Sequence, residues 1–289
     1  MPRHELWTAL PGELLGLLLP ARCAGCLTGG SQLCPSCRAA LTGARPGPTA
    51  FAGVHAAAPY ADPVRGLLLA HKERGALRLA GPLGEALAGA VRSALGPDGH
   101  GAPLLLVPMP STRASVRARG HDPTLRLARA AARSLRRCGL PTAVAPVLRH
   151  TRRVADQSGL TAEGRRRNLH GALTVPPRLA HRLAPPLPLP LALPRRRPTA
   201  GQPIRRQPAP RQNALRQGVL RQGVLRQAAP WRVVLVDDLV TTGASLTEAA
   251  RALARAGAPP SAAATVAAAV LRRPPTDAPA PAGRRRQPG

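Results

Sequence analysis

Between Pro63 and Leu95 apolar side chains recur at Leu67, Leu68, Leu79, Leu83, Leu87 and Val91. This is the spacing of a helix that buries one face, and Pro82 predicts a break into two helices near that point. Pro103 to Pro110 follows a different pattern: Leu104, Leu105, Leu106 and Val107 form a continuous apolar run bounded by prolines, as in a strand buried on both faces. Leu125 to Leu135 predicts another helix and Thr142 to Leu148 a short strand. From Pro176 to Pro230 the periodicity is lost in a Pro-, Arg- and Gln-rich stretch with two tandem Leu-Arg-Gln-Gly-Val units, starting at Leu215 and Leu220. So few bulky side chains cannot offset the entropy of ordering, so the stretch reads as a disordered insertion.

Order resumes at Trp231. The run Val233-Val234-Leu235-Val236 predicts a buried strand ended by Asp237-Asp238, Leu246 to Ala256 a helix, and Ala262 to Leu271 a final strand. Strand, helix and strand in that order make a βαβ unit, hence an α/β fold with a parallel sheet flanked by helices. The predicted organisation is an N-terminal cysteine module over 1–45, a main domain in two parts over 46–175 and 231–272, the insertion 176–230 between them, and a basic tail over 273–289.

Composition adds two constraints. The 289 residues are 44% hydrophobic but 1% aromatic, so Ala, Leu and Val must fill the core. The formal charge is +29, and about half of it falls in the insertion and in Arg272 to Gly289. Such a distribution suits non-specific binding of nucleic acid or another polyanion better than sequence-specific reading. Lys72 stands alone as a lysine among many arginines, a bias that reads as nucleotide drift in the coding gene. Leu14 to Leu19 is far shorter than the roughly 20 residues of a membrane span. It leads directly into a cysteine cluster, so it reads as an amphipathic helix, with a reducing cytoplasm as the default compartment.

The chemistry concentrates at Asp237-Asp238-Leu239-Val240-Thr241-Thr242-Gly243-Ala244-Ser245. Open α/β sheets bind ligands at the carboxyl ends of their strands. There, backbone amides from Thr242 to Ser245 can converge on one anion, aided by the helix dipole and by the hydroxyls of Thr241, Thr242 and Ser245. Gly243 admits close approach of the backbone. Asp237 and Asp238 supply acceptor-only oxygens suited to vicinal ribose hydroxyls, so the string describes a ribose 5-phosphate site. The alternative is a buried strand whose acids cap the next helix.

Cys23-x-x-Cys26 and Cys34-x-x-Cys37 supply two CxxC knuckles, the usual frame of a closed tetrahedral zinc site; disulfides are the alternative. Cys138 is left over at a helix end. The eight histidines show no metal-ligand or triad spacing.

The string at Asp237 to Ser245 closely resembles the phosphoribosyl pyrophosphate (PRPP) motif of type I phosphoribosyltransferases. With Cys23 to Cys37, Val107-Pro108-Met109-Pro110, Arg117-Ala118-Arg119-Gly120, Asp156-Gln157-Ser158-Gly159-Leu160 and Arg165-Arg166-Arg167-Asn168, the chain resembles the competence protein ComF family. The resemblance implies a type I phosphoribosyltransferase-like sheet in which Asp237 and Asp238 hold the ribose and Thr241 to Ser245, Ala244 included, hold the 5-phosphate. It sets Ser111 and Thr112 near the pyrophosphate, Arg117 and Arg119 on a mobile loop over it, and Mg²⁺ on the phosphate oxygens. Lys72 reads either as a further pyrophosphate contact or as a solvated helix residue. Where the family continues its Arg-Gly with Phe-Asn-Gln, this chain has His121-Asp122-Pro123. Two functions follow: an enzyme displacing pyrophosphate from PRPP with an unidentified nucleophile, or a non-catalytic accessory protein of DNA uptake, binding PRPP or DNA and joined to partner proteins.

Overall fold

The computed structural model describes residues 22–43, 45–97, 102–152, 164, 168–184 and 231–270. The run Leu14 to Leu19, the string Asp156 to Leu160, Arg165 to Arg167, the body of the insertion and the basic tail lie outside them.

Six strands form one sheet in the order β1-β2-β8-β7-β3-β4: β1 (Gly47–Pro48), β2 (Val54–Pro59), β3 (Leu104–Pro108), β4 (Thr142–Val144), β7 (Arg232–Val240) and β8 (Ala262–Ala268). The strands β5 (Arg149–His150) and β6 (Leu173–Thr174) pair separately as a two-stranded antiparallel sheet. Only β1 runs antiparallel in the large sheet; β2, β8, β7, β3 and β4 pair in parallel. The expected α/β architecture with a parallel sheet flanked by helices is therefore present, and five strands direct their carboxyl ends to one edge.

Helices cover both faces: α1 (Pro35–Thr42), α2 (Val64–Glu73), α3 (Ala80–Leu95), α4 (Arg113–Arg119), α5 (Pro123–Arg137), α6 (Pro177–Ala180) and α7 (Ala244–Arg255). Successive strand residues face opposite sides, and the core divides accordingly. Leu104, Leu106, Val234 and Val236 pack with Leu83 and Leu87 of α3 and Leu127 and Leu135 of α5. Leu105, Val107, Val233 and Leu235 pack with Leu246, Ala249 and Leu253 of α7. This two-sided burial is why β3 and the first half of β7 read as unbroken apolar runs.

Four elements differ from their sequence expectation. The break between α2 and α3 falls at Arg74 to Leu79, and Pro82 sits inside the first turn of α3, where a missing N–H costs no helix bond. Strand β4 stops at Val144 because Pro146 has no amide to continue the ladder. Strand β7 does not end at the acids but runs through both to Val240, so Asp237 and Asp238 are strand residues and α7 starts two residues earlier than expected. Order also extends into the segment read as an insertion: α6 and a short 3-10 turn at His181–Leu183 pack Leu179 and Leu183 against the α7 face. Trp231 Nε1 donates to the Ala184 carbonyl at 3.1 Å, so positions 184 and 231 meet.

The cysteine module does not stand apart. Cys23, Cys37 and Leu41 are buried in the same cluster as α2 and α3. A Cβ on Gly25 would meet Cys37 Sγ at 2.9 Å, and one on Gly66 of α2 would meet the Ala24 carbonyl at 2.9 Å, so the first knuckle rests on the start of α2. Among the described residues no helix is long and apolar enough to cross a membrane.

Candidate functional site

At the sheet's carboxyl edge β7 lies between β8 and β3. Its end delivers Asp237 and Asp238, and Thr241-Thr242-Gly243 turns the chain into α7. Gly243 is the N-cap, with φ +72°, and no side chain caps the helix. A side chain at Gly243 would be strained by that φ and would also meet Phe51 Cδ1 at 3.2 Å. The glycine is thus required by the turn and by the only phenylalanine of the chain. Thr241 is exposed, Thr242 and Ser245 are half-buried, and Ala244 is buried. The uncapped first turn of α7 leaves amide dipoles that favour an anion.

Asp238 is buried, and Lys72 Nζ at the end of α2 donates to its Oδ2 at 2.8 Å. Burial opposes the Lys72 charge, yet Asp238 and then Asp237 hold its pKa above the usual lysine value. Asp237 accepts from the Asp238 amide at 2.8 Å. Burial first, and the Asp238 charge second, push the Asp237 carboxyl well above the ordinary aspartate range. Beside Lys72, Glu73 pairs with Arg119 Nη1 at 2.8 Å.

The next strand, β3, is locked to this point by the Met109 amide, which donates to the Val236 carbonyl at 2.9 Å. Past Met109 a cleft of about 1260 Å³ opens between α4 and the β5–β6 hairpin. Ser111 and Thr112, the expected pyrophosphate contacts, line it, yet both are engaged. Ser111 Oγ donates to Asp122 Oδ1 at 3.1 Å, and Thr112 Oγ1 accepts from the Ser115 amide as the N-cap of α4. Arg117 and Arg119 were expected on a mobile loop; they belong instead to helix α4, closed by Gly120 in the left-handed conformation. The helix separates them. Arg117 lines the cleft, whereas Arg119 turns to Glu73 and is largely buried.

The departure at His121-Asp122-Pro123 has a structural meaning. Asp122 caps α5 by accepting from the Leu125 amide, and Pro123 takes the first helical position. His121 stacks edge-on against His71 with ring centroids 5.9 Å apart. Burial pushes the His71 pKa down, which favours the neutral ring.

The hairpin wall of the cleft is pinned by two residues that the motifs did not single out. Glu248 of α7, almost wholly buried, accepts from the Leu173 amide at 3.0 Å, and Arg251 donates to the Leu173 carbonyl at 3.1 Å. Arg251 also pairs with Glu248 at 2.7 Å, so one ion pair grips both backbone groups of a β6 residue. The only sequence signal was an acid on the apolar side of a predicted helix.

The four thiols of Cys23, Cys26, Cys34 and Cys37 all lie within 4.8 Å of one another. The Cys34 amide points at Cys23 Sγ and the Cys37 amide at Cys34 Sγ, both at 3.4 Å. Tetrahedral zinc with bonds of about 2.3 Å needs sulfurs roughly 3.8 Å apart, and Cys26 and Cys34 are 3.6 Å apart. All four are free thiols positioned to bind one metal ion, and an all-sulfur set fits structural zinc. Burial opposes the Cys23 thiolate, but amide donors led by Cys34 hold it down at about 6; burial and its sulfur neighbours push Cys37 up. Cys138 is an exposed free thiol at the end of α5.

No family model matches the chain, and no curated protein matches it.

Proposed function

We propose that the chain binds PRPP at the carboxyl edge of β7 and transfers its phosphoribosyl group, as a phosphoribosyltransferase-like protein of the ComF type. The observation that carries this reading is the β7–α7 junction: two successive carboxylates, a short hydroxyl-rich turn and a helix start with no side-chain cap. A 5-phosphate on that turn takes up the free amides of α7 and the hydroxyls of Thr241, Thr242 and Ser245. The ribose hydroxyls then donate to Asp237 and Asp238. Lys72, 2.8 Å from Asp238 Oδ2, is a cation at that same edge and can offset charge on the bound phosphates.

Asp237 and Asp238 do not form a metal cage. Among the described residues the one cluster of three or more metal-ligating side chains is the cysteine set, and Asp238 already holds Lys72. Mg²⁺ therefore fits this site as an ion carried in on phosphate oxygens and water, offsetting the charge of the leaving group. In the transfer, the attacking atom of the acceptor bonds C1 and the C1–O bond to pyrophosphate breaks. The bonding pair leaves on pyrophosphate, and the proton shed by the acceptor passes to water.

Titration calorimetry of the full chain with PRPP and Mg²⁺ tests the binding half, with Asp237→Asn as the weakened control. Pyrophosphate release in the presence of nucleobases and amines tests the transfer half. Absence of PRPP binding ends the whole reading; binding without release retains a PRPP-binding accessory protein.

A further inference from the structure

The cleft beyond Met109 has two unlike walls. Its floor is apolar, built from Met109, Val116, Leu125, Pro146 and Leu148. Its rim carries Arg113, Arg117, Arg149, Arg152 and Arg178. Among the described residues the one carboxylate lining it, Asp122, is already engaged by the Ser111 hydroxyl and the Leu125 amide.

Two of the guanidinium groups are fixed in place by neutral acceptors. Arg149 Nη1 donates to the carbonyls of Pro146 at 3.0 Å and Leu148 at 2.7 Å. Arg152 Nη2 donates to the Asn168 carbonyl at 2.6 Å. A carbonyl orders a guanidinium without cancelling its charge, so the rim is preorganised and remains cationic. The hairpin bearing Arg149 is itself held to the loop after β3, because His150 donates from Nε2 to the Pro110 carbonyl at 3.0 Å.

We propose that this cleft seats the second substrate, and that this substrate is a small organic acid with a flat apolar body and one or more carboxylate or phosphate groups. The body lies on the Met109 to Leu148 floor and the acidic groups meet Arg149, Arg152 and Arg113. A nucleic-acid strand fits less well, because among the described residues no Phe, Tyr or Trp lines the cleft to stack bases. The inference rests on the phosphoribosyl-transfer reading for its role as acceptor site. The binding of an acid does not depend on that reading, and the cleft meets the ribose site where Met109 joins Val236.

The test uses the full chain and phthalate as probe, followed by calorimetry or ligand-observed NMR with and without PRPP and Mg²⁺. Phthalate is expected to bind, and phthalamide, its uncharged counterpart, to bind about ten-fold or more weakly, the usual scale for losing a charge-assisted contact. Arg149→Gln and the exposed Arg113→Gln are each expected to weaken phthalate several-fold, whereas Arg38→Gln on α1 leaves it unchanged. Because Arg113 is exposed, its variant keeps the test sound if Arg149→Gln perturbs the hairpin. Equal affinity for phthalate and phthalamide, or unchanged phthalate binding in the Arg113→Gln/Arg149→Gln double variant, overturns the proposal. Displacement of phthalate by micromolar oligo-dT with a steep salt dependence overturns it in favour of a nucleic-acid backbone. Phthalate bound with PRPP refused sinks the phosphoribosyl reading alone; PRPP bound with phthalate refused sinks the acid site alone.

Discussion

Lys72 Nζ and Asp238 Oδ2 meet at 2.8 Å across 166 positions of sequence, tying the last turn of α2 to the end of β7. The pair differs from Arg38–Glu85, whose atoms are 3.7 Å apart and whose side chains are more than half exposed. Exposed pairs contribute roughly 0 to 1 kcal/mol. Removing the partner of a buried charged group costs more, since Asp238 has little water to turn to. Lys72→Met should therefore lower the unfolding midpoint clearly, and a Lys72/Asp238 double-mutant cycle should show coupling above about 1 kcal/mol. The same cycle on Arg38 and Glu85 should show almost none. Equal coupling in the two cycles would place Lys72 among ordinary surface lysines.

Asp237 offers a pH-dependent handle. Its carboxyl is held well above the ordinary value of 3.8 by burial and by Asp238, so the folded protein retains a proton that the unfolded chain releases. Stability contributed by this group is present below about pH 4 and declines as pH rises from there through the folded pKa. Asp237→Asn, uncharged throughout, should thus be more stable than the natural chain above about pH 4, while binding PRPP about ten-fold or more weakly for want of an acceptor-only oxygen. Ribose hydroxyls and Mg²⁺ both favour the ionised form, so at pH values below the folded pKa PRPP binding should release a proton. Calorimetry in buffers of different ionisation enthalpy should show that release in the natural chain and lose it in Asp237→Asn.

Much of this was legible from residue order. The run Val233 to Val236 had to be a doubly buried strand, and the parallel sheet followed from strand, helix and strand. The extent of β7 was not legible, because carboxylates usually end strands, and only the α2 lysine makes a buried Asp238 tolerable. That pairing spans the whole main domain and leaves no local trace. The ion pair of Arg119 was not legible for the same reason: Glu73, its partner, lies on another helix. The cleft arginines at 149, 152 and 178 belong to segments with no motif of their own, and only the hairpin fold gathers them.

The cysteine set should bind about one zinc per chain, measured by metal analysis of reduced protein. If residues 1–45 were a separate module, zinc loss in Cys34→Ser would loosen that module alone. The burial of Cys23 and Cys37 in the core that holds α2 changes that expectation. Hydrogen exchange should rise along Val64–Glu73 as well as in Pro35–Thr42, and the Lys72–Asp238 coupling should fall in the variant. Exchange confined to residues 22–43 would show that the knuckles only decorate the domain.

The insertion gives the last test, because its ends are now known to converge. Trp231 Nε1 bonds the Ala184 carbonyl, so a linker of a few Gly and Ser residues can replace 185–230 without stretching the chain. That deletion should fold cooperatively. It removes nine arginines, so it should also weaken polyanion binding and flatten its salt dependence. Extending the deletion back to residue 177 removes Leu179 and Leu183, which pack against the α7 face. Burying one such side chain contributes about 1.5 to 3 kcal/mol, so the longer deletion should lower the unfolding midpoint markedly while the shorter one leaves it near that of the intact chain. The two deletions melting alike would mean that the α6 segment contributes nothing to the core, and that the boundary of the folded domain lies back at Pro176.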